Sequence, residues 1–455
     1  MEMVLEFLRD VLSQPALLIG IMSCVGLVAL KRPFHKVMTG TLKPILGYLM
    51  LAAGAGVIVS NLDPLGKMIE HGFHITGVVP NNEAIVAVAQ KVLGVETMSI
   101  LVVGLLMNLC IARFTKFKYV FLTGHHSLFM ACLMSAVLGT AGLSGMELIL
   151  VGGFLMGAWS AISPAIGQSY TSKVTDGDEI AIGHFGSLGY YLSAWVAQYV
   201  GKAEDSTEDI EIPEKWGFLR DSTLSTALTM IVFYLIAAIA AGSEFVSTLS
   251  GDMSPYLYAV MSAMNFAVGV TIVYSGVRMI LGDLIPAFQG IATKIIPNAI
   301  PAVDCAVFFT YAPTAVVLGF LSSFIGGIIG MLILGAVGGV LIIPGLVPHF
   351  FCGATAGIYG NATGGRRGAA VGAFLNGLAI TFLPAMALPV LGQLGFQNTT
   401  FGDADFAVMG LVLGNAYEWV GMAGIYSIVA IAALVLIIPN FIKTKGKVIN
   451  YVEED

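Results

Sequence analysis

Four groups of polar side chains stand inside apolar stretches of this sequence. Asn82-Glu83 open an apolar run shortly after Pro80. His125, His126 and Ser127 head a run that continues through Phe129. His184 lies in Ile182-Gly183-His184-Phe185-Gly186, and Asp304 in Ala302-Val303-Asp304-Cys305-Ala306. An ionisable side chain within a bilayer costs about 2.5–3.5 kcal/mol on insertion scales, so one retained there is functional by default. Carboxylates accept hydrogen bonds and imidazoles both donate and accept, which suits a hydroxyl-rich ligand. The candidate ligand contacts are therefore Asn82, Glu83, His125, His126, Ser127, His184 and Asp304, with Phe129 and Phe185 able to pack on a ring. Plainer roles compete. Asp304 and Glu83 can cap half-helices after Pro301 and Pro80. His125 and His126 point about 100° apart on one helix, so at most one of the pair is expected to face the site.

The elements that position these residues must lie in a membrane. Of 455 residues 57% are hydrophobic and 11% charged, with net charge −7. Mean hydropathy is +0.88. This excludes a soluble globular protein and a disordered chain. No basic stripe suggests nucleic acid. There is no phosphate-binding G-x-x-x-x-G-K-[ST] loop, no H-E-x-x-H, no arginine ladder and no Thr-Val-Gly-Tyr-Gly filter. No cofactor or metal is expected. Cys24, Cys110, Cys132, Cys305 and Cys352 form no CxxC pair and are expected to be small buried side chains. Met1 to Asp10 carries Glu2, Glu6 and Asp10 beside Arg9, unlike a secretory signal, so the first span is expected to be retained.

The expected fold is all-α and polytopic. Apolar runs fall near 15–30, 39–60, 97–112, 118–138, 144–163, 223–243, 256–276, 313–335, 338–362, 366–390 and 421–440, about eleven spans. Lys31, Arg32 and Lys36, then Arg113, Lys116 and Lys118, then Arg278, Arg366 and Arg367, and finally Lys443, Lys445 and Lys447 all fall on one side if the N-terminus is outside and the C-terminus cytoplasmic. Segments 61–96, 278–312 and 392–418 read as broken. Irregular backbone at membrane depth usually lines a transport site. The stretch 166–221 reads as a cytoplasmic amphipathic helix followed by an acidic loop, Glu204 to Asp209, ending at Pro213-Glu214-Lys215-Trp216. A solvated linker is the simplest role for that acidic run.

The two halves echo each other. Pro64 and Pro286 are 222 apart. Pro80-Asn81-Asn82-Glu83 matches Pro301-Ala302-Val303-Asp304 at an offset of 221, and Thr123-Gly124-His125 matches Val347-Pro348-His349 at 224. This makes His349 the repeat mate of His125. The spacing predicts two five-span repeats, 1–165 and 222–390, separated by 166–221 and followed by a last helix and tail, 391–455. Five is odd, so the second copy must be inverted, with the substrate site at the interface of the halves.

Several motifs are familiar in combination. Val174-Thr175-Asp176-Gly177, Ile182-Gly183-His184, Gly201-Lys202, Ser206-Thr207-Glu208-Asp209 and Pro213 resemble the ascorbate-type enzyme IIC of the bacterial phosphotransferase system. Leu122-Thr123-Gly124-His125, Ile300 to Ala306, Ile342-Ile343-Pro344-Gly345 and Gly364-Gly365-Arg366-Arg367 extend the resemblance over nearly the whole chain. It implies a homodimer in the bacterial inner membrane, each protomer having a substrate-holding core domain and a V-shaped dimerisation domain. It also implies an elevator-like movement of the core. Substrate would be L-ascorbate or a related polyol or sugar, phosphorylated by a IIB phosphocysteine charged through IIA. The permease itself would carry no phosphoryl group. His125, His184 and Asp304 match the family's ligand contacts. An ascorbate transporter of the family has Thr-Tyr where this chain has Asn82-Glu83, Phe-Gln for Leu128-Phe129, and Gln for Phe185. A second reading from the residues alone is an ion-coupled transporter in which Glu83 and Asp304 carry the ion.

Overall fold

The computed structural model describes residues 11, 14–74, 77–78, 80, 82–210, 222–392 and 400–441. The side chains of residues 83–94 lie outside that description, as do Met1 to Asp10, Pro213 to Trp216 and the lysines of the C-terminal tail. The described elements run α1 (Pro15–Ala29), α2 (Phe34–Phe73), α3 (Asn82–Phe114), β1 (Tyr119–Phe121), α4 (Gly124–Thr140), α5 (Gly145–Thr175), β2 (Ala181–Ile182) and α6 (Ser187–Val200). They continue as α7 (Ser222–Ala241), α8 (Ser243–Ser250), α9 (Pro255–Lys294), β3 (Ile300–Val303), a 3₁₀ turn (Cys305–Thr310), α10 (Pro313–Ala336), α11 (Leu346–Gly392), α12 (Ala404–Val420) and α13 (Met422–Phe441). Among the described residues seven helices are long and apolar enough to cross a bilayer, or eight if α7 and α8, bent by 116°, form one span. Many of their apolar side chains face outward, including Val232, Ile239, Leu332, Ile431 and Leu434. Water would not tolerate that surface, but lipid does.

The all-α expectation needs one amendment. β1, β3 and β2 form a parallel three-stranded sheet in that order. Tyr119 pairs with Ile300 and Phe121 with Ala302, and Ala181 and Ile182 pair with Ala302 and Val303. The predicted span 118–138 therefore splits into a strand and a shorter helix starting at Gly124. Strand pairing satisfies backbone groups that helices would otherwise have to satisfy internally. Because the strands are parallel, their C-terminal ends share one edge. The chain leaving β1 enters α4 with His125 and His126, the chain leaving β2 reaches His184, and β3 leads directly to Asp304.

The segments that read as broken are partly helical. α2 continues through Pro64 to Phe73, and α9 continues through Pro286 to Lys294. Each has 40 residues, about 60 Å, against a hydrocarbon core of about 30 Å. Polar residues made these extensions look like interruptions, but they ride on the helices. The two cross closely: a Cβ at Gly47 would lie 2.9 Å from the Gly276 carbonyl oxygen, and one at Gly54 2.7 Å from that of Gly269. Gly269 follows Gly47 by 222 positions, and Gly276 follows Gly54 by the same distance. A single parallel bridge joins Val78 to Ile342. Ile300 lies 222 after Val78, and its partner Tyr119 lies 223 before Ile342, so the bridge repeats the β1–β3 pairing at nearly the same offset.

Within α11 the helix breaks at Gly364 and Gly365. A Cβ at Gly360 would sit 2.4 Å from the Gly368 oxygen. A continuous helix separates such residues by about 12 Å. The chain therefore doubles back, between the predicted runs 338–362 and 366–390. Gly365 has φ +60°, and a Cβ there would meet the Lys202 and Asp205 carbonyl oxygens, so glycine is required.

The acidic run is not a free linker. Thr207 N donates to Asn361 Oδ1 at 2.8 Å, and Arg366 N donates to the Asp205 carbonyl at 2.8 Å. Glu208 caps α10, accepting from Thr314 N at 3.0 Å, Thr314 Oγ1 at 2.9 Å and Ala315 N at 3.1 Å. Glu208→Ala is expected to cost about 1–2 kcal/mol. Limited proteolysis should then cut 203–210 faster than in the parent protein. An unchanged cleavage rate would show that the cap adds nothing. The cysteine expectation holds for Cys132, Cys305 and Cys352, whereas Cys110 is exposed and Cys24 half-buried. An apolar neighbourhood in sequence does not say which helix face meets lipid.

Candidate functional site

The C-terminal edge of the sheet opens into a cavity of about 1210 Å³. Asn82, His125, His126, Phe129, His184 and Asp304 all line it. His125 Nε2 lies 3.4 Å from Asp304 Oδ2, and its Nδ1 lies 3.2 Å from the Tyr48 hydroxyl. Asp304 Oδ1 accepts from Ala306 N at 3.0 Å, capping the 3₁₀ turn. Asp304 thus caps the turn with one oxygen, faces His125 with the other, and lines the cavity.

The tautomers of the other two imidazoles follow from backbone donors. Phe185 N donates to His126 Nδ1 at 3.3 Å. Gly186 N donates to His184 Nδ1 at 3.1 Å, and the Tyr190 hydroxyl lies 2.8 Å from the same atom. An Nδ1 that accepts carries no proton, so each ring is neutral and bears its proton on Nε2. The rings of His126 and His184 are 3.8 Å apart, and Phe406 stacks on His126 at 5.6 Å. Both adjacent histidines line the cavity, against the expectation that one would turn away. The 100° between them is spanned because the cavity wraps the first turn of α4.

Ser127, Phe185 and His349 lie elsewhere. Ser127 is fully buried, and its hydroxyl donates to the Thr123 carbonyl at 3.3 Å, away from the cavity. Phe185 is also buried, stacked on Phe121 at 4.6 Å. His349 hydrogen-bonds Ser323 at 2.9 Å and does not line the cavity. Glu83 lies in the first turn of α3, and its side chain is outside the described residues.

Several lining residues, Tyr48, Asp63, Lys67, Glu70 and Asp403 among them, were not anticipated from the sequence. Asp403 is buried and faces the cavity from the start of α12. It accepts from Asn82 Nδ2 at 2.6 Å and from Cys352 Sγ at 2.6 Å. Asn82 Oδ1 in turn accepts from Gly402 N at 2.8 Å. Asp403 sits in segment 392–418, which had been read as irregular, and an acid inside such a segment was the available signal.

His184, Asp304 and Cys305, and likewise His184, Cys352 and Asp403, bring ligand-type atoms within 4.8 Å of one another. The hydrogen bonds do not suit a resident metal. A metal-bound imidazole coordinates through one nitrogen and donates from the other. His184 accepts with Nδ1 and keeps its proton on Nε2, so neither nitrogen is free. The set instead offers carboxylate acceptors and imidazole donors toward a hydroxylated molecule.

Residues 10–405 match the family model of the phosphotransferase system sugar-specific permease component, EIIC-GAT. The chain belongs to this family. It is also similar to the ascorbate-specific phosphotransferase system EIIC component of Mycoplasma pneumoniae, with 26% identity over 474 residues, 90% of this chain and 70% of that protein. A phosphotransferase permease is a membrane protein, as the apolar helices require.

Proposed function

We propose that this chain imports a small hydroxylated compound, L-ascorbate or a related polyol or sugar, across the bacterial cytoplasmic membrane and presents it to phosphorylated IIB. The observation that carries the proposal is the convergence of His125, His184 and Asp304 at one edge of the parallel sheet, in a cavity of a family member. The substrate hydroxyl attacks phosphorus, and the IIB cysteine leaves as thiolate. The permease contributes position rather than a nucleophile.

The protomer in this proposal has eleven membrane helices in two inverted repeats. The helices are α1 to α5, α7, α9, α10, the two halves of α11, and α13. The offset near 222 in the α2–α9 crossing and in the Val78–Ile342 bridge supports the repeat. The core domain carries the sheet and cavity, the exposed apolar faces include the dimer contact, and the core moves as an elevator. On α2 the cavity lining runs from Tyr48 to Phe73, away from Lys31, Arg32 and Lys36. With that basic end in the cytoplasm and the N-terminus outside, this is an outward-open state.

The test is uptake of labelled substrate into cells holding this protein with its IIA and IIB, with and without phosphoenolpyruvate. Recovery of the label as a phosphoester supports the proposal. Free substrate accumulated without IIB and lost on adding an uncoupler would instead establish ion coupling.

A further inference from the structure

The cavity carries more negative charge than a site for an anion should. Among the described residues its lining contains four acids, Asp63, Glu70, Asp304 and Asp403, and Lys67 alone of the lysines and arginines. Lys67 is already committed to Asp63, with Nζ 2.8 Å from Oδ2. His126 and His184 are neutral by their hydrogen bonds. His125 is the one imidazole there able to carry charge, and it faces Asp304. Even with His125 protonated, acids outnumber bases four to two.

Asp403 is decisive within that set. It is held by Asn82 and Cys352, two neutral donors, and among the described residues no lysine or arginine pairs with it in the cavity. A ring nitrogen of His184 lies within 4.8 Å of an Asp304 oxygen, and likewise of an Asp403 oxygen, so both carboxylates bear on the same small volume. An anion entering it would meet like charge at short range and lose its hydration without compensation. A hydroxyl group meets acceptors it can donate to. Such repulsion is a means of specificity in its own right.

We propose that the compound taken by this cavity is an uncharged polyhydroxylated one, an open-chain polyol or a neutral sugar, and that Asp403 excludes anions such as ascorbate, which is a monoanion at neutral pH. This rests on the reading of the cavity as the substrate site of the permease. The same repulsion disfavours retention of the phosphorylated product and helps its release.

The experiment is ligand binding to the purified full-length protein at pH 7, without any phosphoryl donor, using ascorbate, a pentitol and a hexitol as probes. At least one uncharged probe is expected to bind tenfold or more tightly than ascorbate. Asp403→Asn is expected to narrow that ratio at least tenfold, an effect that general loosening of the site would not produce. Ascorbate as the tightest ligand, no binding of either uncharged probe, or an unchanged ratio in a folded Asp403→Asn protein would overturn the proposal. The ranking in the unsubstituted protein decides the substrate class whether or not the variant folds. Delivery of the uncharged compound unmodified into vesicles supplied with phosphorylated IIB would defeat the phosphotransferase reading and leave this inference standing.

Discussion

Asp304→Asn is expected to lower uptake about 100-fold while the protein remains folded. The substitution keeps an oxygen that can accept from Ala306 N, so the cap of the 3₁₀ turn survives. It removes the charge that faces His125 Nε2 and replaces an acceptor with a donor on the cavity side. A hydrogen bond to a charged group contributes about 1.5–3 kcal/mol, and two such contacts to substrate and His125 account for the loss. His125→Ala should cause a comparable defect, because Tyr48 and Asp304 then lose their shared partner. Uptake and the thermal unfolding midpoint would be measured on the same preparations. Normal transport by both variants would remove these residues from the site. A collapsed midpoint would mean that their role is structural.

Asp405→Leu should destabilise the protein by about 3–5 kcal/mol and abolish uptake with it. Asp405 is fully buried at the head of α12. Its carboxylate accepts from Ser187 Oγ at 2.8 Å, Leu188 N at 3.0 Å and Trp159 Nε1 at 3.1 Å. Its own backbone N donates to the Phe185 carbonyl at 2.9 Å. One residue thus ties α5, α6 and α12 together beside His184. Leucine leaves three buried donors without an acceptor. Asparagine retains one oxygen for Ser187 and Trp159 but turns an amide toward the Leu188 N–H, so Asp405→Asn should lose less. The ordering of thermal midpoints, parent above Asn above Leu, is the check. Equal midpoints would show that the three donors find other partners.

Much of this was legible in the sequence, and for identifiable reasons. Membrane residence follows from composition, since a chain so poor in charge has no aqueous alternative. The cost of polar groups at membrane depth singled out His125, His126, His184 and Asp304, and all four line the cavity. The offset near 222 was visible as proline and acid spacing before the α2–α9 crossing displayed it in contacts. Local sequence determines these features because hydropathy, turn residues and spacing are properties of neighbours along the chain.

The tertiary structure decided what depends on partners far away. Strands of two to four residues carry no period-two pattern, so β1, β2 and β3 left no trace in the sequence. Yet their parallel pairing is what brings residues 125, 184 and 304 to one edge. Which side chains of an apolar helix turn inward was equally hidden. Ser127 and Phe185 looked like site residues and pack away from it, while Asp403 looked like loop and faces it. When a helix is apolar all round, its sequence has no stripe to mark the inner face. The face is chosen by the neighbours it meets, and those are set by the fold as a whole.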